Sequence, residues 1–308
     1  GELMLDQRDD AHAAPELDKA AILTPDNAPL RVSLGRAYLN IGDEPKAFAA
    51  FEKAASLSPT APVWNDIAFN LADSKVDLDK AQHYAGSAIQ ATEASLRSAD
   101  IQRVTAAQMR EVENLAAYWD TLGWIYFQKG DLVSADKYIH AAWTLDQNGE
   151  IGDHLGQICE KRGDKDLAIK TYALALAAQD AIADTRARLT LLLGSNSGID
   201  DLVAKAKLEL AALRTVPAGK LFDGSAHADF LIALSPGDKS ARADAVRFIS
   251  GKEELRSAGE KLKLLNYGEM FPDPSATKLI RRARLSCVAE AGKACLLELF
   301  PASQAQAQ

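Results

Sequence analysis

No uninterrupted apolar run in these 308 residues approaches the roughly 18 to 20 that a bilayer-spanning helix requires, and mean hydropathy is -0.15. No membrane insertion is expected. Histidine is scarce: the five, at positions 12, 83, 140, 154 and 227, show neither H-x-x-x-H nor Cys/His ligand spacing. No glycine-rich loop opens a helix, and Ser250-Gly251 lacks the strained elbow of hydrolases. The 43 carboxylates are dispersed along the chain. The reading is of a non-enzyme without catalytic, cofactor or metal residues. Positive charge is also in deficit, with a net charge of -8, which argues against a nucleic-acid partner. The deficit is uneven. From Gly219 onward 13 Lys and Arg face 11 Asp and Glu, giving +2 and leaving -10 for the preceding residues. An acidic body and a mildly basic tail suggest two domains with different surfaces.

What is present is a repeat. Leu34-Gly35-x-x-Tyr38 is followed by Ala47, Phe51, Ala54 and Pro59. A second copy reads Trp119-x-x-Leu122-Gly123-x-x-Tyr126, Ala135, Ile139 and Ala142, with Gln147 at the proline position. A third reads Leu155-Gly156-x-x-Cys159, Ala168, Tyr172 and Ala175. A worn copy between the first two carries Trp64, Ile67, Ala68, Leu71, Ala81, Ala85 and Ala88, with one extra residue in its turn. The pattern resembles the 34-residue tetratricopeptide repeat (TPR). Two antiparallel helices approach closely only where small side chains meet, here Gly35 against Ala47 and Ala54. Gly42-Asp43, Gly130-Asp131 and Gly163-Asp164 read as turns, with Gly left-handed at a helix end and Asp capping the next helix.

The resemblance implies a helical solenoid over 1–214, a right-handed superhelix of antiparallel pairs. Its parts are a partial repeat at 1–27, repeats near 28–61, 62–91, 116–149 and 149–182, and a capping pair at 182–214. Gly1 falls on the small-residue position of the partial repeat, so the chain is expected to start inside a repeat of a longer protein. Residues 91–115 exceed what a repeat junction needs and read as extended helices joined near 98–102.

Past Thr215-Val216-Pro217-Ala218-Gly219 the apolar residues alternate. Ala228, Phe230, Ile232 and Leu234, then Val246 and Phe248, predict two strands joined at Ser235-Pro236-Gly237-Asp238. Residues 253–265 read as a helix with Leu255, Ala258, Leu262 and Leu265 on one face. Residues 278–288 and 294–300 read as a hairpin around Glu290-Ala291-Gly292. The result is a small α+β domain over 220–308, in ββαββ order. This order, with Val246-Arg247-Phe248-Ile249-Ser250-Gly251 before the helix and Phe271-Pro272 after it, resembles the C-terminal domain of TonB-type energy transducers. The whole arrangement resembles the C-terminal half of bacterial envelope proteins that place a transglutaminase-like domain ahead of TPR repeats.

In such a hairpin Cys287 and Cys295 fall opposite each other, and a disulfide is expected there; two free thiols is the alternative. A disulfide implies an oxidising compartment, periplasmic or secreted. Cys159 replaces the repeat tyrosine and reads as a buried thiol. In the basic run Lys278, Arg282 and Arg284 share a strand face with Ile280, while Arg281 points with Leu279 and Leu285. A solvated face is the plainer reading of this run, and a docking patch for an acidic surface the sharper one. His140 and His154 could meet across adjacent repeats, but a solvated or hydrogen-bonded histidine is the plainer reading of each.

In the TPR family the first helix of each repeat lines a concave groove. Carried over, the groove positions are Val32, Arg36, Leu39 and Asn40; Asn65 and Phe69; Asp120, Trp124, Phe127 and Gln128; Asp153, Gln157 and Glu160. Trp124 and Phe127 are either anchors for a ligand or packing for the long insertion. The acidic positions favour a partner segment with basic residues. The expected function is a protein-protein interaction scaffold that holds a peptide or protein segment in the groove and carries a C-terminal docking domain. The alternative is a non-catalytic portion of a larger envelope enzyme.

Overall fold

The computed structural model describes residues 1–289 and 294–304, apart from the side chains of Glu2 and Asp6. The expected loop at Glu290-Ala291-Gly292 lies outside the described residues. Twelve helices come first: α1 (Glu2–Asp6), α2 (Asp10–Leu23), α3 (Ala28–Asn40), α4 (Glu44–Leu57), α5 (Ala61–Asp73), α6 (Leu78–Arg97), α7 (Ala106–Lys129), α8 (Leu132–Leu145), α9 (Gly149–Lys161), α10 (Lys165–Ala177), α11 (Ala183–Leu193) and α12 (Ile199–Leu213). Five strands follow: β1 (Thr215–Gly219), β2 (Ala226–Ser235), β3 (Arg242–Gly251), β4 (Leu279–Cys287) and β5 (Cys295–Leu299). Before Thr215 the described residues contain only one isolated bridge, Asn148 to Gln179. No helix among them is long and apolar enough to cross a membrane.

The chain divides into two compact units, Gly1–Thr92 with Trp124–Gly130, and Glu93–Gly123 with Asp131–Gln308. The division does not follow the change from helices to sheet, because the second unit holds both.

In the first unit the helix pairs are closed by a repeated device. A Cβ on Gly35 would stand 2.3 Å from the Phe51 ring, and one on Gly1 would stand 2.6 Å from Leu17, 34 residues earlier in each case. The nearest neighbour of Gly35 is thus the Phe51 ring, which the expected contact with Ala47 and Ala54 did not include. The glycine is a socket for the large residue of the partner helix, on which Ala47 and Ala54 are also fully buried. Gly42 takes φ +80, and the Asp43 side chain accepts from the Lys46 amide, so a left-handed turn and a cap stop one helix and start the next. In the worn repeat the non-glycine residues Lys75 and Asp77 take positive φ (57 and 42), and Asp77 caps the Lys80 amide at 3.1 Å.

The second unit repeats the device with different large residues. Gly123 meets Ile139 at 2.4 Å and Gly156 meets Tyr172 at 2.3 Å, joining α7 to α8 and α9 to α10. α12 then packs on α10.

The five strands of this unit form one antiparallel sheet in the order β1-β5-β4-β2-β3. One face buries Phe230, Ile232, Leu234, Ala283, Leu285 and Leu297 against Leu255, Leu262, Tyr267 and Met270. The other face places Leu231, Ala233 and Ile280 against Ala99 and Ile101, with Val104 and Met109 alongside. The extra residues between α6 and α7 therefore cover a sheet face. Arg247 tightens the contact by donating to the Gln102 carbonyl at 2.8 Å.

Two expectations for this domain change. The sheet begins at Thr215, before residue 220. The segment holding Pro217, placed by the sequence pattern before the strands, is itself a strand: β1 lies at the sheet edge, where a missing amide costs no ladder bond. The helix expected over 253–265 is a 3-10 helix, Glu253–Ala258, followed by one α turn, α13 (Gly259–Leu262). Gly259 disfavours a longer α-helix, and the three-residue step from Leu255 to Ala258 suits 3-10 winding.

Candidate partner-binding surface

Within the first unit, α3, α5 and the last residues of α7 carry the expected groove positions. Val32 and Leu39 of α3 are buried at 7% exposure each and belong to the packing. Arg36 and Asn40 stand one helical turn apart and are exposed, with Asn40 donating to Asp10 at 3.0 Å. Asn65 and Phe69 of α5 are half-buried, and the buried Asn65 Oδ1 accepts no hydrogen bond. The Trp124 and Phe127 rings stack at 4.9 Å and 10°. Trp124 is only 6% exposed, whereas Phe127 and Gln128 are half-exposed. Of the two readings of this pair, the burial of Trp124 agrees with packing: its indole is covered within the fold, and Phe127 is the more exposed of the two rings. Lys129, in the next turn, is held by Asp79 at 2.5 Å and Gln82 at 2.6 Å.

In the second unit the acidic groove positions are already engaged. Asp120 is buried and pairs with the buried His154 at 2.9 Å. The two histidines are placed as the plainer reading has them: His140 is exposed, and His154 is hydrogen-bonded to a partner from α7. Burial lowers the His154 pKa, but the Asp120 carboxylate, with Glu150 and Asp153 behind it, outweighs this and holds it above the ordinary histidine value. Asp153, at 1% exposure, accepts from Gln157 at 2.8 Å and lies 3.7 Å from Arg188. Glu160 accepts from the Tyr172 hydroxyl at 2.9 Å and alone of the three acids is exposed. Burial and then Glu160 push the tyrosine pKa up.

Within the basic run the three arginines are engaged by the fold, Arg281 buried and Arg284 still partly exposed. Arg282 and Arg284 both bind Asp229 of the neighbouring strand, at 3.0 and 2.7 Å. The pairing holds the buried Asp229 below the usual carboxylate range, through the partly exposed Arg284 first, against burial and with help from Arg282. Arg281, at 3% exposure, donates to the carbonyls of Phe300 (2.7 Å) and Thr144 (3.3 Å). Alternation along β4 placed these side chains correctly by face. Missing from the sequence reading was Asp229, which only strand register reveals.

At the end of the domain Cys287 and Cys295 are joined as a disulfide, continuing the register in which Leu285 faces Leu297. Cys159 is free and buried, and burial pushes its thiol pKa up, away from nucleophilic use. Among the described residues no group of three or more His, Cys, Asp and Glu is placed to hold a metal.

Residues 28–60, which span α3 and α4, match the tetratricopeptide repeat family model. No curated protein sequence matches the chain. Among solved structures, Pseudomonas aeruginosa PilF is 18% identical, with 68% of this chain and 86% of that one covered, at a TM-score of 0.43. The Cut9-Hcn1 hetero-tetramer of the APC/C is 16% identical, with 68% and 44% covered, at 0.28; this chain spans less than half of that one.

Proposed function

We infer that the protein is a non-catalytic interaction scaffold whose first unit binds a segment of another protein along the first helices of its hairpins. The carrying observation is that Phe127, backed by the stacked Trp124, keeps part of its ring uncovered on the helix face expected to bind. An aromatic ring held rigid by a buried neighbour binds with little loss of side-chain freedom. Phe69, Arg36 and the unsatisfied Asn65 carbonyl oxygen supply further contacts in the same unit, the last suited to a backbone or side-chain N–H. The C-terminal sheet, whose elements from β2 onward follow the order expected of TonB-type domains, serves as a second docking element. The Cys287–Cys295 bond supports a periplasmic or secreted setting.

The test is to recover a partner from envelope extract and titrate it against the wild type, Phe127→Ala and Phe69→Ala. Phe127→Ala is expected to weaken binding by about 2 kcal/mol, as for an interface hot spot. Unchanged affinity in a folded Phe127→Ala variant removes this face from the binding site.

A further inference from the structure

A cavity of about 280 Å³ in the second unit lies between the end of α8, the α12–β1 junction and the loop after α13. Two arginines line it, Arg214 and Arg281. Arg281 is almost wholly buried, and its Nε–H has no hydrogen-bond partner, although its terminal nitrogens reach the Phe300 and Thr144 carbonyls. Arg214 is half-buried and donates its own Nε–H to Gln147. Neither forms an ion pair among the described residues. The carboxylates whose field reaches them, Glu298 and then Asp146 at Arg214 and Asp146 at Arg281, form no salt bridge with either, and Asp146 is held by the Ser303 amide at 3.3 Å and hydroxyl at 2.6 Å. Two guanidinium groups are thus gathered at one cavity, and among the described residues neither has a carboxylate bound to it, an arrangement that a protein interior does not tolerate cheaply.

The remaining polar groups narrow the ligand. The hydroxyls of Thr144, Thr215 and Tyr267 are each spent on a backbone carbonyl, those of His140, Ala211 and Leu262. That leaves the two guanidinium groups as the charged donors, with the side-chain amides of Gln147 and Asn266 also on the lining, a set that suits a singly charged two-oxygen acceptor. Leu145, Val216, Met270 and Leu299 supply the apolar part of the lining. The volume lies at the lower edge of small-molecule sites, too small for a peptide segment.

We propose that this cavity binds a small organic carboxylate, its two oxygens on Arg281 and Arg214 and its apolar body against Leu145, Val216, Met270 and Leu299. The site goes beyond the scaffold reading and stands independently of it. Burial depresses the Arg281 pKa to about 10 and that of Arg214 in the same direction, as for cations awaiting a counter-ion.

The experiment is calorimetric titration of the full chain with benzoate, its uncharged isostere benzamide, inorganic phosphate, and a short peptide with a free C-terminus. The expected result is saturable one-to-one binding of benzoate, at least about tenfold weaker for benzamide, and about tenfold weaker for benzoate on Arg214→Gln, because charge-assisted hydrogen bonds are the stronger kind. The comparison of benzoate with benzamide on the wild type stands even if Arg281→Met fails to fold. Equal binding of benzamide, tighter binding of phosphate or of the peptide than of benzoate, or no saturation by benzoate overturns the assignment.

Discussion

The Phe51 ring occupies the space where a Cβ on Gly35 would stand, 2.3 Å away. Gly35→Ala should therefore destabilise the chain by about 1–3 kcal/mol through overpacking. Gly86, exposed on α6 with nothing within 4 Å of its Cβ position, is the control. Gly86→Ala should stabilise by about 0.5–1 kcal/mol through helix propensity. Denaturant midpoints of the two variants should move in opposite directions, and equal shifts would refute the socket.

Removal of the buried indole of Trp124 should cost about 3–5 kcal/mol, because a cavity remains behind Phe127. Phe127→Ala, at a half-exposed ring, should cost clearly less. Thermal melts of the two variants test this ranking, and a larger loss for Phe127→Ala would reverse the roles assigned to the stacked pair.

The His154–Asp120 pair makes stability depend on pH with a definite sign. The folded pKa of His154 is raised above its unfolded value. Its contribution is therefore fully present below about pH 6.5, the unfolded histidine value, and is lost as pH rises through the folded pKa. The gap in melting temperature between wild type and His154→Gln should be larger at pH 6 than at pH 9. A gap that grows with pH would contradict the pairing.

Peptide mapping without reductant should recover Cys287 linked to Cys295, with Cys159 as the single alkylatable thiol after unfolding. Replacing both bridged cysteines by serine should cost about 2–3 kcal/mol, the chain-entropy value for so short a loop. Three alkylatable thiols in protein prepared under oxidising conditions would remove both the bridge and the compartment inferred from it.

The helical part was legible because each hairpin writes its geometry in local spacing: Gly35, Phe51, Gly42 and Asp43 each do at close range what their residue types do best. The expected Cys287–Cys295 pairing and the two long strands rested on the same kind of short-range reading. Three things were hidden because their causes lie far along the chain. Pro217 looks like a boundary until β5 is known to flank it on one side only. Asp120 and His154 look like surface groups until α9 lies against α7. The purpose of residues 98–105 cannot be read without Leu231 and Ile280, which they cover through Ala99 and Ile101.

The glycine sockets bear on the order in which the chain folds. Gly1 and Leu17, Gly35 and Phe51, Gly123 and Ile139, and Gly156 and Tyr172 are each sixteen residues apart, so each hairpin closes a short loop and needs no distant strand to do so. The edge pairing of Thr215 with Glu298 closes a loop of more than 80 residues and must follow slowly. Until it forms, Val216, Leu297 and the arginine-lined cavity beside them are open to water, and a truncation that removes β5 should leave the α3–α4 hairpin folded while the C-terminal sheet stays unassembled.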